Sequence, residues 1–375
     1  MEQTNPFSGT RGKVLMTAYP QPTAHIIKTL QEGQVIPAHP LALTPSGELD
    51  TPHQRALTRY YLESGAGGIA VGVHTTQFEI RDPQHGLLKP VLQLAEETVT
   101  AHESQQPDQP IIRIAGICGN TNQAVEEAML ARDLGYHIGL LSLGALREAD
   151  TDTLIKHANA VAHEIPIMGF YLQPAVGGRY LDYAFWRRFC EIPNVVAIKI
   201  APFNRYQTLD VLRGAAASGR AEDIALYTGN DDTILFDLFS RFAIPHNGDE
   251  YLMHFVGGLL GHWAFWTKPA VEMLNKIKTL REKEDPIPQD LTTLAWQITD
   301  VNSAVFDPAN RFAGCISGIH EILHRQGLMR STLCLNKDES LSPGQKEEID
   351  RVYQAYPHLN DDAFIQQNLE RWLQD

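Results

Sequence analysis

The chain has 375 residues, of which 43% are hydrophobic and 20% charged, a composition typical of a globular protein. Its net charge of −14 argues against binding to duplex nucleic acid or to an anionic membrane. No apolar run approaches the roughly 20 residues of a membrane span, and the N-terminal MEQTNPFSGTRGK lacks the layout of a signal peptide. Four widely spaced cysteines without a Cys-x-x-Cys pair favour reduced thiols. We therefore expect a cytoplasmic protein.

After an N-terminal extension over residues 1–34, short apolar runs recur along the chain in a pattern typical of buried strands. The runs lie at 35–43, 68–73, 111–117, 137–143, 167–171, 195–200 and 224–227, with a candidate eighth at 251–257. The runs at 137, 167, 195 and 224 start 30, 28 and 29 residues apart. This regular spacing indicates a repeated structural unit.

The segments between these runs carry helix signals. Thr51-Pro52 provides an N-cap and a first-turn proline, Asn122 opens an amphipathic segment that ends at Gly135, and a helix is predicted over 233–242. Alternating strands and helices predict a parallel sheet. An open doubly wound sheet would want a glycine-rich turn after its first strand, and no G-x-G-x-x-G is present. The sequence therefore predicts an α/β protein with a (β/α)8 TIM barrel over residues 35–265.

Beyond the predicted barrel the pattern changes. Helical segments are predicted to start near Lys268, Asp290, Arg311 and Glu347, and no strand pattern separates them. Residues 266–375 are therefore predicted to form a C-terminal helical appendage. Such an appendage is a common place for contacts between subunits.

A lysine interrupts one of the most apolar runs, Val195–Ile200. Lys199 lies near the carboxyl end of the predicted sixth strand, where TIM barrels carry their active sites. Tyr171 lies 28 residues earlier, at the end of the fifth strand, and Thr75 and Thr76 follow the second. Burial lowers the pKa of an amine and so favours its attack on a ketone, and a phenol can shuttle the protons. The threonines suit a small carboxylate.

Each of these residues also has a simpler interpretation. A lysine at a strand terminus usually reaches solvent or pairs with a carboxylate. A tyrosine in a strand is more often a core aromatic, and paired threonines often reflect β-propensity. Only their joint placement at strand ends favours a catalytic site.

Six segments, in order, resemble those of the dihydrodipicolinate synthase and N-acetylneuraminate lyase superfamily of class I aldolases. The similarity runs from about residue 35 to about 328 and covers the segments TPSGELD (44–50), HTTQFE (74–79), IAGICGNT (114–121), GFYLQP (169–174), VAIKI (196–200) and TGNDD (228–232). The resemblance implies that Lys199 forms a Schiff base with a 2-oxo acid such as pyruvate and that Tyr171 relays protons. It also implies that Thr75 and Thr76 bind the substrate carboxylate.

Further substrate contacts are expected from Gly229 in the TGNDD turn and from His39 and His74 at strand ends. No metal site is predicted, because a barrel hydrolase with two metals typically needs a His-x-His on its first strand and only His39 is present there. Asp231 and Asp232 are interpreted as caps of the following helix. No cofactor is expected.

Three departures from the family pattern affect the predicted function. His74 and Gln77 replace glycines beside the threonine pair, and the segment 143–145 lacks the tyrosine that the synthases carry there. Val176 stands where the synthases have an arginine, with Arg179 as its nearest substitute. These departures argue against dihydrodipicolinate synthesis itself.

Two functions are consistent with these residues. The first is a Schiff-base lyase, an aldolase or dehydratase, that acts on a 2-oxo acid or a sugar-acid derivative. The second is a catalytically inactive barrel that binds a small ligand or has a regulatory role. The family resemblance also implies a homo-oligomer, either a tetramer or a dimer.

Overall fold

The computed structural model describes residues 19–107 and 109–374. Eight parallel strands form the central sheet: β1 (Val35–Pro37), β2 (Gly68–Val71), β3 (Ile112–Ile117), β4 (Ile138–Leu141), β5 (Ile167–Leu172), β6 (Val195–Ala201), β7 (Ala225–Thr228) and β10 (Gly257–Leu260). Their order is β1-β10-β7-β6-β5-β4-β3-β2, and a parallel bridge between Ala38 and Ala70 joins β1 to β2 and closes the cylinder. The predicted (β/α)8 barrel is confirmed.

Helices surround the barrel and continue beyond it. They are α1 (Ala24–Glu32), α2 (Thr51–Glu63), α3 (Leu88–Glu103), α4 (Thr121–Asp133), α5 (Thr151–Ala162), α6 (Tyr183–Cys190), α7 (Arg205–Ala217), α8 (Ile234–Phe239), α9 (Thr267–Glu282), α10 (Gln289–Val305), α11 (Cys315–Arg325), α12 (Gln345–Ala355) and α13 (Asp362–Trp372). Among the described residues after β10 no strand occurs, so the C-terminal helical appendage is also confirmed. No described helix is long and apolar enough to cross a membrane.

The predicted eighth strand was wrong. Residues 251–253 belong instead to an antiparallel hairpin of β8 (Phe242–His246) and β9 (Asp249–Met253) that lies outside the barrel. The strand that completes the barrel starts at Gly257, where the predicted run ends. Residues 251–253 do have strand character, but a hairpin satisfies their backbone hydrogen bonds equally well.

Two helix boundaries also differ from their predictions. The helix expected to open at Asn122 begins at Thr121, because the Asn120 side chain accepts a hydrogen bond from the backbone N–H of Gln123 and caps it. The helix predicted over 233–242 is only α8, since Phe242 already belongs to β8. The domain limits 1–34, 35–265 and 266–375 stay predictions, and residues 1–18 of the extension lie outside the described residues.

Side chains of the barrel strands alternate between two apolar clusters. The interior cluster takes Ala197 and Ala201 from β6, whereas the cluster between the sheet and the helices takes Ile198 and Ile200. Lys199 has the same parity as the two alanines. Its side chain therefore points into the barrel and not towards the helices.

Candidate active site

Lys199 is buried inside the barrel. Only 7% of its surface is exposed, and its Nζ lies 4.4 Å from the centroid of the Phe170 ring on the adjacent strand. No ion pair between Lys199 and any described residue is formed. Burial lowers the pKa of Lys199, while the nearby Asp231 carboxylate opposes this shift. The amine is thus more easily deprotonated than a lysine in water.

Gly229, at the turn after β7, makes room for the lysine. A Cβ atom at this position would lie 2.8 Å from Lys199 Cε and 2.8 Å from Ala201 Cβ. Any larger residue would therefore push the lysine side chain away from its present path. Gly229 is one of the predicted substrate contacts, and in the structure it also lines the pocket around the amine.

A small, partly open pocket lies above Lys199 at the carboxyl ends of the strands. Its cavity of about 50 Å³ is several times the roughly 10–15 Å³ that one water molecule requires. The polar or ionisable side chains that line it are His74, Thr75, Gln173, Lys199, Asp231 and Cys315. The apolar part of the wall includes Phe170, Leu172, Val176, Phe203, Phe306, Phe312 and Ile319. The site therefore suits a small ligand with an apolar part.

The structure brings His74, Thr75 and Gly229 together with Lys199. Thr75 Oγ1 already donates a hydrogen bond to the Ala38 carbonyl, 2.7 Å away, so that its lone pairs are what it offers a ligand. Burial and, to a smaller extent, the charge of Lys199 lower the pKa of His74 to about 4, so this imidazole is neutral at physiological pH.

Tyr171 lies on the opposite face of the sheet, in contrast to its predicted role. Its ring packs against Trp186 of α6, and its hydroxyl accepts a hydrogen bond from Leu181 N at 3.2 Å. The cause is a register shift between β5 and β6, since Ile167 pairs with Val195 whereas the next residue, Met168, pairs with Ala197. Because of the extra residue in β6, Lys199 pairs with Phe170 and not with Tyr171. Side chains alternate along β5, so Tyr171 faces the opposite side of the sheet from Lys199.

The residue that the register places beside Lys199 is consequently Phe170 and not Tyr171. A phenylalanine offers the amine an aromatic face but no hydroxyl. The described residues therefore place no phenol in this pocket.

Thr76 and His39 also lie outside the pocket. Thr76 Oγ1 accepts hydrogen bonds from Gly72 N and Val73 N and donates one to the His39 carbonyl, so it closes the turn after β2. The His39 ring contacts Thr58 Oγ1 at 2.8 Å and lies edge-on to Tyr61, on the helix side of the sheet. Burial lowers the pKa of His39 to about 4. Both residues support the site's framework and do not face the ligand space.

The C-terminal appendage supplies part of the wall that the sequence interpretation missed. Phe306 follows α10, Phe312 lies in the next loop, and Cys315 and Ile319 belong to α11. Their apolar character predicted only burial, and no local pattern connects them to Lys199 more than 100 residues earlier. The appendage therefore forms part of the pocket in addition to any role between subunits.

Asp231 also lines the pocket, although it was interpreted as a helix cap. A buried network fixes its turn: Asp237 of α8 accepts hydrogen bonds from Thr228 Oγ1 at 2.6 Å and from Asn230 Nδ2 at 2.9 Å, and Arg205 pairs with the same carboxylate. The TGNDD motif could have indicated this network from the sequence, because polar residues next to a buried strand need hydrogen-bond partners.

The predicted arginine substitute does not reach the ligand space. Arg179 donates a hydrogen bond to the Leu146 carbonyl and lies outside the pocket, whereas Val176 does line it. Among the described residues that line the pocket, Lys199 is the only lysine or arginine. No group of three described His, Cys, Asp or Glu side chains could hold a metal ion.

Substitution of Gly229 by alanine is expected to displace the Lys199 side chain and so to slow the imine formation predicted from the sequence by about 10²-fold. The fold should survive, since the closest atoms belong to side chains and not to backbone. The measurement is the rate of borohydride-trapped adduct formation with pyruvate, with thermal unfolding as the control. An unchanged trapping rate would show that the lysine does not depend on this space.

Solved structures share this fold across nearly their whole length. A dihydrodipicolinate synthase structure aligns with a TM-score of 0.68 at 19% identity, covering 87% of this chain and 99% of that one. The chloride-inhibited synthase of Acinetobacter baumannii, complexed with pyruvate, aligns with a TM-score of 0.68 at 20% identity over 89% and 99%. CdNal of Clostridium difficile, in complex with mannosamine, aligns with a TM-score of 0.67 at 15% identity over 86% and 99%. At these identities the similarity establishes the fold.

Curated relatives add similarity at the level of sequence. The 4-hydroxy-tetrahydrodipicolinate synthase of Moorella thermoacetica is 28% identical over 211 residues, which is 55% of this chain and 66% of the relative. The enzyme of the same name from Nitratidesulfovibrio vulgaris is 25% identical over 193 residues, or 51% and 61%. The match thus covers just under two thirds of each relative. The model of the dihydrodipicolinate synthetase family matches residues 31–240, more than half of the sequence. The chain therefore belongs to the dihydrodipicolinate synthetase family.

Proposed function

We propose that this protein is a lyase of the class I aldolase type that forms a Schiff base between Lys199 and a small 2-oxo acid such as pyruvate. The observation that carries the proposal is the amine itself, which is buried, free of ion pairs among the described residues and directed into a small pocket. An amine attacks a carbonyl only when unprotonated, and burial favours that state. The related Acinetobacter baumannii synthase binds pyruvate, which is consistent with this substrate.

The overall reaction cleaves or forms a carbon–carbon bond, or dehydrates a sugar-acid derivative. It is not dihydrodipicolinate synthesis. The support for this narrower proposal is the charge of the pocket. A second carboxylate needs a cation or several N–H donors, yet Arg179 is engaged with Leu146 and the pocket wall carries Val176 instead. Apolar side chains surround the remaining space.

The test is reductive trapping. The protein is incubated with pyruvate and borohydride, and the modified peptide is identified by mass. We expect one pyruvate-dependent adduct on Lys199, and incubation with lactate, which has no keto group, provides the control. The absence of this adduct across a panel of 2-oxo acids would falsify the proposal.

One observation favours the second candidate function, which is a ligand-binding barrel without turnover. Phe170 lies beside Lys199, and Tyr171 is turned to the other side of the sheet, so the family's phenol relay has no counterpart in the pocket. Trapping alone does not separate the two functions, because a binder can also form an imine. Release of an aldehyde or of water from sugar-acid substrates distinguishes the enzyme from the binder.

A further inference from the structure

Imine formation requires a proton donor that the family resemblance does not supply here. The oxygen of the carbinolamine leaves as water only if it receives a proton, and Tyr171 is too remote to provide one. Thr75 already donates its hydroxyl proton to a backbone carbonyl. The two other candidates in the wall are the neutral ring of His74 and the buried thiol of Cys315.

Asp231 is placed where this donor is needed. Asp231 and Lys199 line the same cavity and their charges interact, yet no ion pair within 4.0 Å joins the two. Asp231 Oδ1 accepts a hydrogen bond from His262 N at 3.0 Å, and the Asp231 carbonyl accepts one from Asn302 Nδ2 at 2.6 Å. No other described residue donates a hydrogen bond to Asp231 Oδ2. The carboxyl group is thus held in place with one oxygen left for a ligand.

We propose that Asp231 is the acid–base group of the site and takes over the role of the missing phenol. The inference rests on the proposed function of Lys199 as the imine-forming residue. The neutral amine attacks the carbonyl carbon, a C–N bond forms, and the electron pair of the C=O bond moves to the oxygen. A proton passes from nitrogen to oxygen, which gives the neutral carbinolamine.

Water then leaves with the help of the carboxylic acid. The proton of Asp231 is transferred to the hydroxyl group, the C–O bond breaks, and the nitrogen lone pair forms the C=N bond. The products are an iminium ion, a carboxylate and water, so atoms and charge balance without any further reactant. The new cation and the new anion lie in the same apolar pocket and stabilise each other.

The electrostatics of the two groups support this exchange. Burial lowers the pKa of Lys199 and raises the pKa of Asp231, whereas the opposite charge of the partner works against both shifts. The pair therefore has access to the state in which the amine is neutral and the acid is protonated, which is the state that the reaction needs. His74 is a poorer proton carrier, because its pKa falls to about 4, and burial raises the pKa of Cys315 far above neutrality.

The experiment compares the rate of adduct formation on Lys199, with pyruvate and borohydride, between the wild type and Asp231→Asn. The asparagine keeps an oxygen for His262 N but cannot carry the proton. We expect trapping to be about 10²- to 10⁴-fold slower, as is typical for loss of a general acid. Formate should restore part of the rate to Asp231→Ala. The control is Asp223→Asn, which changes a carboxyl group that is 65% exposed, pairs with Arg220 and does not line the pocket, and which should leave the rate unchanged.

The pH profile gives a second measurement that needs no variant. The wild-type rate should pass through a maximum where Lys199 and Asp231 share one proton, and Asp231→Asn should lose the alkaline decline. His74 and Cys315, which face the same cavity, titrate outside this range. The charge of the adjacent Asp232 raises the pKa of Asp231, which moves the position of the maximum but does not remove the alkaline decline. A folded Asp231→Asn that traps at the wild-type rate, or a wild-type profile without an alkaline decline, overturns the inference while leaving the proposed function intact. A wild type that forms no adduct overturns both.

Discussion

Replacement of Lys199 by methionine is expected to abolish the borohydride-trapped adduct and to reduce turnover by at least about 10⁴-fold, the scale seen when a covalent nucleophile is removed. Methionine fills a similar volume and can lie across the Phe170 ring as the lysine does now. The fold should therefore persist. Asp231 loses its cationic neighbour in this variant, but its raised pKa allows it to become a neutral acid.

Two further variants separate the nucleophile from its charge and from lysines in general. Lys199→Arg keeps a cation in the pocket but provides no amine that can form an imine, so it should be as inactive as the methionine variant. Lys278→Met is the matched control, because Lys278 is also partly buried with a lowered pKa but lies on α9, away from the pocket. An adduct that persists in Lys199→Met and disappears in Lys278→Met would contradict the assignment. The measurement in each case is the peptide mass after trapping.

The barrel was predictable because its signal is local and repeated. Repeated short apolar runs, of which the last four start 28 to 30 residues apart, are separated by capped amphipathic segments and leave few alternatives to a closed parallel sheet. The position of Lys199 within a buried strand followed from the same signal, but the burial of its amine did not, because a lysine near a strand end usually reaches solvent or pairs with a carboxylate. The eighth strand failed because two consecutive segments, 249–253 and 257–260, both have strand character and only one has a place in the barrel.

The site was less predictable than the fold because its geometry depends on register. The spacing of 28 residues between Tyr171 and Lys199 assumed an unbroken pairing of β5 with β6. One additional residue in β6 makes the relevant spacing 29 and selects Phe170 instead. The sequence pattern does not indicate such a bulge, because Val195, Val196 and Ala197 are all apolar and can lie on either face of the strand. The contribution of α11 to the pocket is equally invisible, since it arises from long-range packing.

A buried ion pair between Arg81 and Glu127 holds the loops that carry the site. Arg81 and Glu127 are each 8% exposed, and Arg81 Nε donates hydrogen bonds of 3.0 Å to both oxygens of Glu127. Arg81 Nη2 also donates to the carbonyls of Gly72 and Gly116, at 2.9 Å each, and Glu127 accepts from Cys118 N at 3.0 Å. This group therefore joins the ends of β2 and β3, directly before the turn that presents Thr75 and His74.

Substitution of Arg81 by methionine is expected to lower the free energy of unfolding by about 3–5 kcal/mol, because Glu127 would remain buried without its partner. Glu127→Leu added to Arg81→Met should recover much of this loss, since no unpaired charge then remains, although two backbone carbonyls lose their donor and Cys118 N loses its acceptor. The control is Arg55→Ala, which removes the ion pair between Arg55 and Glu97, whose side chains are 31% and 43% exposed. This substitution should lower the free energy of unfolding by less than about 1 kcal/mol. Denaturant unfolding measures all three. Equal losses for Arg81→Met and Arg55→Ala would show that burial gives the Arg81–Glu127 pair no special weight, and that other contacts hold the ends of β2 and β3 beneath the pocket.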